Sequence, residues 1–346
     1  MRKKNGVYSQ RFLLSIFVSV LLASVFWSGN VFAAERGKLI GGAPHAMPDW
    51  FKESFLEIQD DVDEATEENR HVMLFFHLND CPYCDRMLRE SFEVDPLKAY
   101  MQQHFDTIAV NVRGDREIAF NDEISALEKE LAEHLKVRST PAILFLNKDN
   151  KTVVRVDGYR APERFQHILG YVSSKAYEKR SLSEHLDQHL QRNVYQLRDN
   201  PLFTVTTDLS AVAGPLMLVF EDGSCYDCAE FHDKLLAHPD VQAEVKPYTV
   251  VRLNTDVATE IIDPAGNKTT AKALADTLNM THRPGVAIYD DGQLVRRADS
   301  LLYSYHFKEG LRYIAGDYYK QEDYRSYSQR RREELLAAGV TIDLSE

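Results

Sequence analysis

The stretches MLFFHLNDCPYC at 73–84 and MLVFEDGSCYDC at 217–228 decide the reading of this chain. In each, an apolar run stops a few residues before two cysteines that enclose a dipeptide. Runs as short as Met73 to Phe76 and Leu216 to Phe220 read as central strands buried on both faces. After Cys84 the spacing turns helical, with Met87, Leu88 and Phe92 apolar among charges. The match continues outward from the cysteines. ELAEHLKVRSTPAILFL at 130–146 corresponds to ALADTLNMTHRPGVAIY at 273–289, and FQHILGYV at 165–172 to FKEGLRYI at 307–314. Blocks that recur in one order at offsets of 142 to 144 make the two halves copies of one fold.

Within each copy the order is strand, cysteine pair, helix, strand, helix, proline-led strand, strand, helix. Phe105 to Val112 and Tyr248 to Leu253 supply the second strand, and Pro141 and Pro284 each open an apolar strand, where a missing N–H is tolerable. Such alternation predicts an α/β fold, each copy a mixed central sheet flanked by helices. Residues 35–70 carry Trp50, Phe51, Phe55, Leu56 and Ile58 among acids and read as a packing helix ahead of the first strand. The polar stretches 173–200 and 315–338 read as the terminal helix of each copy, with Arg330, Arg331 and Arg332 on a solvated face.

Composition fits two domains in 346 residues, 44% of them hydrophobic. The net charge of −12 gives no support to a nucleic-acid-binding surface. Four cysteines, Cys81, Cys84, Cys225 and Cys228, are too few for a disulfide-dense scaffold. Arg2, Lys3, Lys4 and Arg11 precede 16 uncharged residues from Phe12 to Trp27, and Val31-Phe32-Ala33 offers small residues for cleavage. That pattern predicts a signal peptide over 1–33 and an exported, periplasmic protein; left uncleaved, the same segment would be a membrane anchor. The expected division is then 34–192 for the first copy and 193–346 for the second.

The chemistry rests on the pairs. A helix beginning at the first cysteine would present free N–H groups and a partial positive charge to its sulfur, favouring the thiolate. Cys81 and Cys225 are therefore the expected nucleophiles, and Cys84 and Cys228 the residues that resolve the mixed disulfide. Asp227 inside the second motif should raise the neighbouring thiol and make that pair the more reducing one.

Both halves resemble the thioredoxin superfamily, in which a CxxC at a helix N-terminus faces a cis-proline. The resemblance implies that Thr140-Pro141 and Arg283-Pro284 bind substrate backbone beside the two pairs. It also implies tandem thioredoxin-like domains, no cofactor or metal, partners that are disulfide-containing exported proteins, and a membrane-bound thiol reductase as electron donor. The first half looks more narrowly like exported thioredoxin-like proteins of the sulfur-oxidation (Sox) type. The acid that thioredoxin carries six residues before its first cysteine is replaced by Phe75 and Val219, leaving His77 or Glu221 as other proton acceptors. Arg283 stands where a small residue is usual, and it would pair with Asp227 or the thiolate.

The leading reading is a thiol-disulfide oxidoreductase with two centres. An adaptor, in which the second copy recruits a partner and only the first or neither turns over, is the alternative. Stapling disulfides are a plainer possibility for either pair. A shared zinc site is opposed by the 140 residues between Cys84 and Cys225, and haem attachment by Asp85 and Ala229 in place of histidine. His71, His77, His134 and His282 read as surface or packing residues.

Overall fold

The computed structural model describes residues 35–346, so the signal-peptide expectation lies outside the described residues. The first copy is built on β1 (His71–His77), β2 (Phe105–Asn111), β3 (Ala142–Leu146) and β4 (Thr152–Asp157), in the order β2-β1-β3-β4. β1 pairs parallel with β2 and antiparallel with β3, and β3 pairs antiparallel with β4. The second copy repeats this with β5 (Leu216–Glu221), β6 (Thr249–Asn254), β7 (Gly285–Asp290) and β8 (Gln293–Ala298), in the order β6-β5-β7-β8. These are the two mixed sheets that the repeat predicts.

Every residue of β1 and β5 is buried, which explains their unbroken apolar runs. Met73 and Phe75 enter the core on the cysteine face of the first sheet, while Val72, Leu74 and Phe76 fill the opposite face. That alternation is the period of two expected of a strand. Leu301 of the second copy belongs to the same buried cluster as Cys81, Tyr83 and Cys84, and Tyr226 and Tyr303 pack on it. The cysteine face of the first copy is thus completed by the second.

Three sequence expectations need correcting. The helix before β1 spans only Ile58–Glu67; residues 41–56 run as a loop whose Lys52 N–H bonds the Thr107 carbonyl, and Phe55 lies fully exposed. Each copy also inserts a short hairpin after its second strand, Glu117–Asn121 with Ile124–Leu127 and Glu260–Ile262 with Lys268–Thr270. These strands are only three to five residues long, and their apolar residues, Ile118, Phe120 and Ile261 among them, form no run long enough to signal a strand. Finally, Leu39–Ile40 pairs in parallel with Ile342–Asp343, so the start of the first stretch docks on the end of the second. The terminal helices form as expected, at Leu182–His189 and Tyr324–Ala337. Among the described residues no helix is long and apolar enough to cross a membrane.

Candidate functional site

Cys81 caps the helix Pro82–Met87, and its Sγ accepts the N–H of Cys84 at 3.1 Å. Pro82 at the first helical position has φ already set for a helix and no N–H to leave unsatisfied, so the motif's own dipeptide fixes where the helix starts. The Thr140 hydroxyl donates to the same sulfur at 3.4 Å, and the Thr140–Pro141 peptide is cis. Cys81 and Cys84 are joined as a disulfide. The structure therefore gathers Cys81, Cys84, Thr140 and Pro141 at one point, with two donors aimed at the outer sulfur. On reduction those donors and the helix terminus favour the thiolate.

The second centre is built differently. Cys225 and Cys228 also form a disulfide, but the helix starts at Cys228, with Asp227 as its cap residue, and spans Cys228–Glu230 before passing into a wider turn over Phe231–Leu236. The expectation that Cys225 sits at a helix N-terminus is wrong. Asp222 is the reason: its carboxylate accepts the N–H of Ser224 at 2.9 Å and the hydroxyl of Ser224 at 2.6 Å, and its carbonyl accepts the N–H of Cys225 at 3.2 Å. The chain is held in a tight turn through the first cysteine. Among the described residues no donor reaches Sγ of Cys225.

Arg283 does not pair with Asp227 or with the sulfurs. Its Nε donates to Asp222 Oδ2 at 2.8 Å, and its Nη1 donates to the carbonyls of Met280 and His282 at 3.1 and 3.0 Å. The side chain is buried in this framework, which braces the turn instead of offering a surface to substrate. Burial alone would raise the Asp222 carboxyl, yet Arg283 and the hydrogen bonds from Ser224 and Thr255 hold it well below the usual carboxylate range. The Arg283–Pro284 peptide is cis, and Pro284 lies with Phe231 and Leu235 of the motif helix around a small void.

Asp227 is buried, and burial pushes its carboxyl up to about 6 against the pull of Arg86 and Arg164. His282, which reads from sequence as a surface or packing residue, is fully buried with Nε2 3.6 Å from Asp227 Oδ2. Burial, with Arg160, Arg164 and Arg283 nearby, pushes its imidazole far below its ordinary value, so it is neutral. Glu221, one of the two alternative proton acceptors, is taken up by His232, whose Nε2 lies 2.7 Å from Glu221 Oε1. His77, the other, is buried and pushed down to about 4 by burial and by His45.

Residues that sequence reasoning missed lie between the copies. The Tyr83 hydroxyl accepts the N–H of Tyr303 at 2.7 Å and shares a hydrogen bond with Nδ1 of His306 at 3.1 Å, and the Tyr83 and Tyr303 rings stack with centroids 4.4 Å apart. Burial pushes His306 down to about 4, so its ring is neutral. Arg86 lies 4.3 Å over the Tyr159 ring and pairs with Glu230 at 3.1 Å. Arg160 bonds Asp299 at 3.0 Å; Arg164 donates to the Thr281 carbonyl at 2.5 Å and the Ser224 hydroxyl at 3.2 Å. Both cysteine pairs are consequently covered: Cys81 is 5% and Cys225 2% exposed.

Two mixed sheets, each with a CxxC disulfide ahead of a helix and a cis-proline, define a thioredoxin-type protein. The family model described as thioredoxin-like domain matches residues 58–173 and again 207–315, and the chain belongs to that family. The chain is similar to a thioredoxin-fold protein from Helicobacter pylori, at 28% identity over 35% of this chain and 79% of that one, with a TM-score of 0.32. It is also similar to a thioredoxin from Thermus thermophilus, at 25% identity over 34% and 85%, TM-score 0.28. A disulphide isomerase from Xylella fastidiosa matches at 18% identity over 42% and 95%, TM-score 0.24. No curated protein matches the chain. Its two cysteine pairs are the groups of thiol–disulfide redox chemistry.

Proposed function

We propose that the protein is an exported thiol-disulfide oxidoreductase acting on the disulfides of other exported proteins, with Cys81 as its working nucleophile. The observation that carries this is Sγ of Cys81 at a helix N-cap, receiving the Cys84 N–H and the Thr140 hydroxyl beside cis-Pro141. In the reduced enzyme the Cys81 thiolate attacks one sulfur of a substrate disulfide, forming a mixed disulfide and releasing the other sulfur as a thiolate. Cys84 then attacks Cys81 Sγ, which closes the Cys81–Cys84 bond and frees the second substrate thiolate. Two electrons pass to the substrate, and a membrane-bound thiol reductase restores the dithiol. Thr140 and Pro141 present backbone to the substrate segment. The basic, then apolar, amino-terminal sequence and the likeness of the first half to Sox-type proteins support export.

The second pair turns over more slowly or serves to recruit a partner, a reading favoured by the uncapped Cys225 and the buried Arg283–Asp222 brace. Reduction of insulin disulfides by the full chain tests the proposal. Cys81→Ser should abolish it, and Cys84→Ser should accumulate mixed disulfides with exported proteins. Full activity in Cys81→Ser would refute it.

A further inference from the structure

Arg86 and Glu230, which pair across the copies, are 144 positions apart, the spacing of the two motifs themselves. Gly158 and Ser300 are 142 apart, the spacing of the last helices, and a Cβ on Gly158 would fall 2.4 Å from the Ser300 Cβ. Repeat-equivalent residues meet each other only on a two-fold axis. Off the axis, equivalent helices contact the opposite motif, though the residues they touch there are not equivalent. Arg164 and His306 hold equivalent places in the first turn of helices Pro162–Ser173 and Ser304–Ala315. Arg164 lies on Ser224 ahead of the second pair, and His306 on Tyr83 within the first. Each copy turns its cysteine face toward the other.

The coverings differ in chemistry. Leu301 and Tyr303 pack apolar and aromatic surface on the cluster holding Cys81, with a backbone N–H bonded inside the motif. Beside the second pair lies the guanidinium of Arg164, on the Ser224 hydroxyl one residue ahead of Cys225, and Arg160 acts with it on Asp227 inside the motif.

We propose that this is a closed state in which each copy occupies the other's substrate face. The protein reaches foreign disulfides by parting the copies about the Arg86–Glu230 axis, and the first centre then takes a segment with an aromatic or aliphatic residue beside its cysteine, in place of Leu301 and Tyr303. The proposal rests on the redox reading of Cys81. Opening is a two-state equilibrium, so labelling of a covered thiol reports the open population.

The experiment is maleimide labelling of Cys81 in the reduced full chain, read by mass spectrometry against the same chain in guanidinium. Wild type should be protected by about a hundredfold. Glu230→Arg, which sets like charges on the axis, and Ser300→Tyr, which wedges it, should each speed labelling about tenfold. The faster variants should also reduce a peptide disulfide flanked by Tyr ahead of one flanked by Asp. Unprotected Cys81 in wild type overturns the proposal, as does labelling unchanged in whichever variant folds. Should neither fold, wild-type protection decides alone. Fast labelling in the variants with no disulfide reduced would leave the closed state standing and sink the redox reading; disulfide reduction with unprotected Cys81 would do the reverse.

Discussion

At Cys81 the sulfur holds two donors, and one of them can be removed without touching the motif. Thr140→Val keeps the shape and deletes the hydroxyl at 3.4 Å. A hydrogen bond to a charged group contributes about 1.5–3 kcal/mol, so the Cys81 thiol should rise by about 1–2 pH units, seen in the pH dependence of its alkylation once reduced. Asp227 gives a prediction of opposite kind. Its carboxyl titrates near 3.8 when unfolded and near 6 when folded. Between those values the native state binds the extra proton, so the wild-type chain loses stability as pH climbs from about 4 to above 6. Asp227→Asn cannot titrate and should unfold at a higher denaturant midpoint than wild type at pH 7.5. The gain is on the order of 2 kcal/mol and should vanish near pH 4. The cysteines and the two prolines were legible from the repeat, and Thr140 from the thioredoxin resemblance. Arg283 was legible as an oddity but not in its role, because its partner Asp222 lies 61 positions away and nothing local links them.

The helix that follows each pair shows how a dipeptide sets the properties of an element. Pro82-Tyr83 starts the helix at once and puts Cys81 at its cap, whereas Tyr226-Asp227 delays it until Cys228 and leaves Cys225 in the Asp222 turn. The turn is itself crowded: a Cβ on Gly223 would fall 2.0 Å from the carbonyl oxygen of Arg192, so only glycine lets the connecting segment pass over it. Lacking cap and hydroxyl donors, the Cys225 thiolate is less stabilised than that of Cys81, and its disulfide is harder to reduce. The second pair should have the lower potential by about 30 mV or more, measured pair by pair against glutathione with the other pair replaced by serine. Sequence analysis expects the same direction from Asp227, for a different reason. Strands were legible wherever burial on both faces left an apolar run; the hairpins at 117–127 and 260–270 were not, since strands of three to five residues leave too short a pattern to tell from a loop.

Across the whole molecule, the repeat foretold two copies but not their mutual arrangement, because the contacts that join them are made by residues far apart in the chain. The arrangement has a consequence for pairing selectivity. On the axis of a true homodimer a residue meets its own copy, so no ion pair can form there. First half with first half would set Arg86 against Arg86, and second with second Glu230 against Glu230. Only unlike halves bring opposite charges together, and only they seat the small Ser300 on Gly158. Residues 35–192 and 193–346, produced as separate chains and mixed, should therefore assemble one to one in analytical ultracentrifugation, each refusing its own kind. Duplication has given this surface a distinction of self from other that a single copy could not encode.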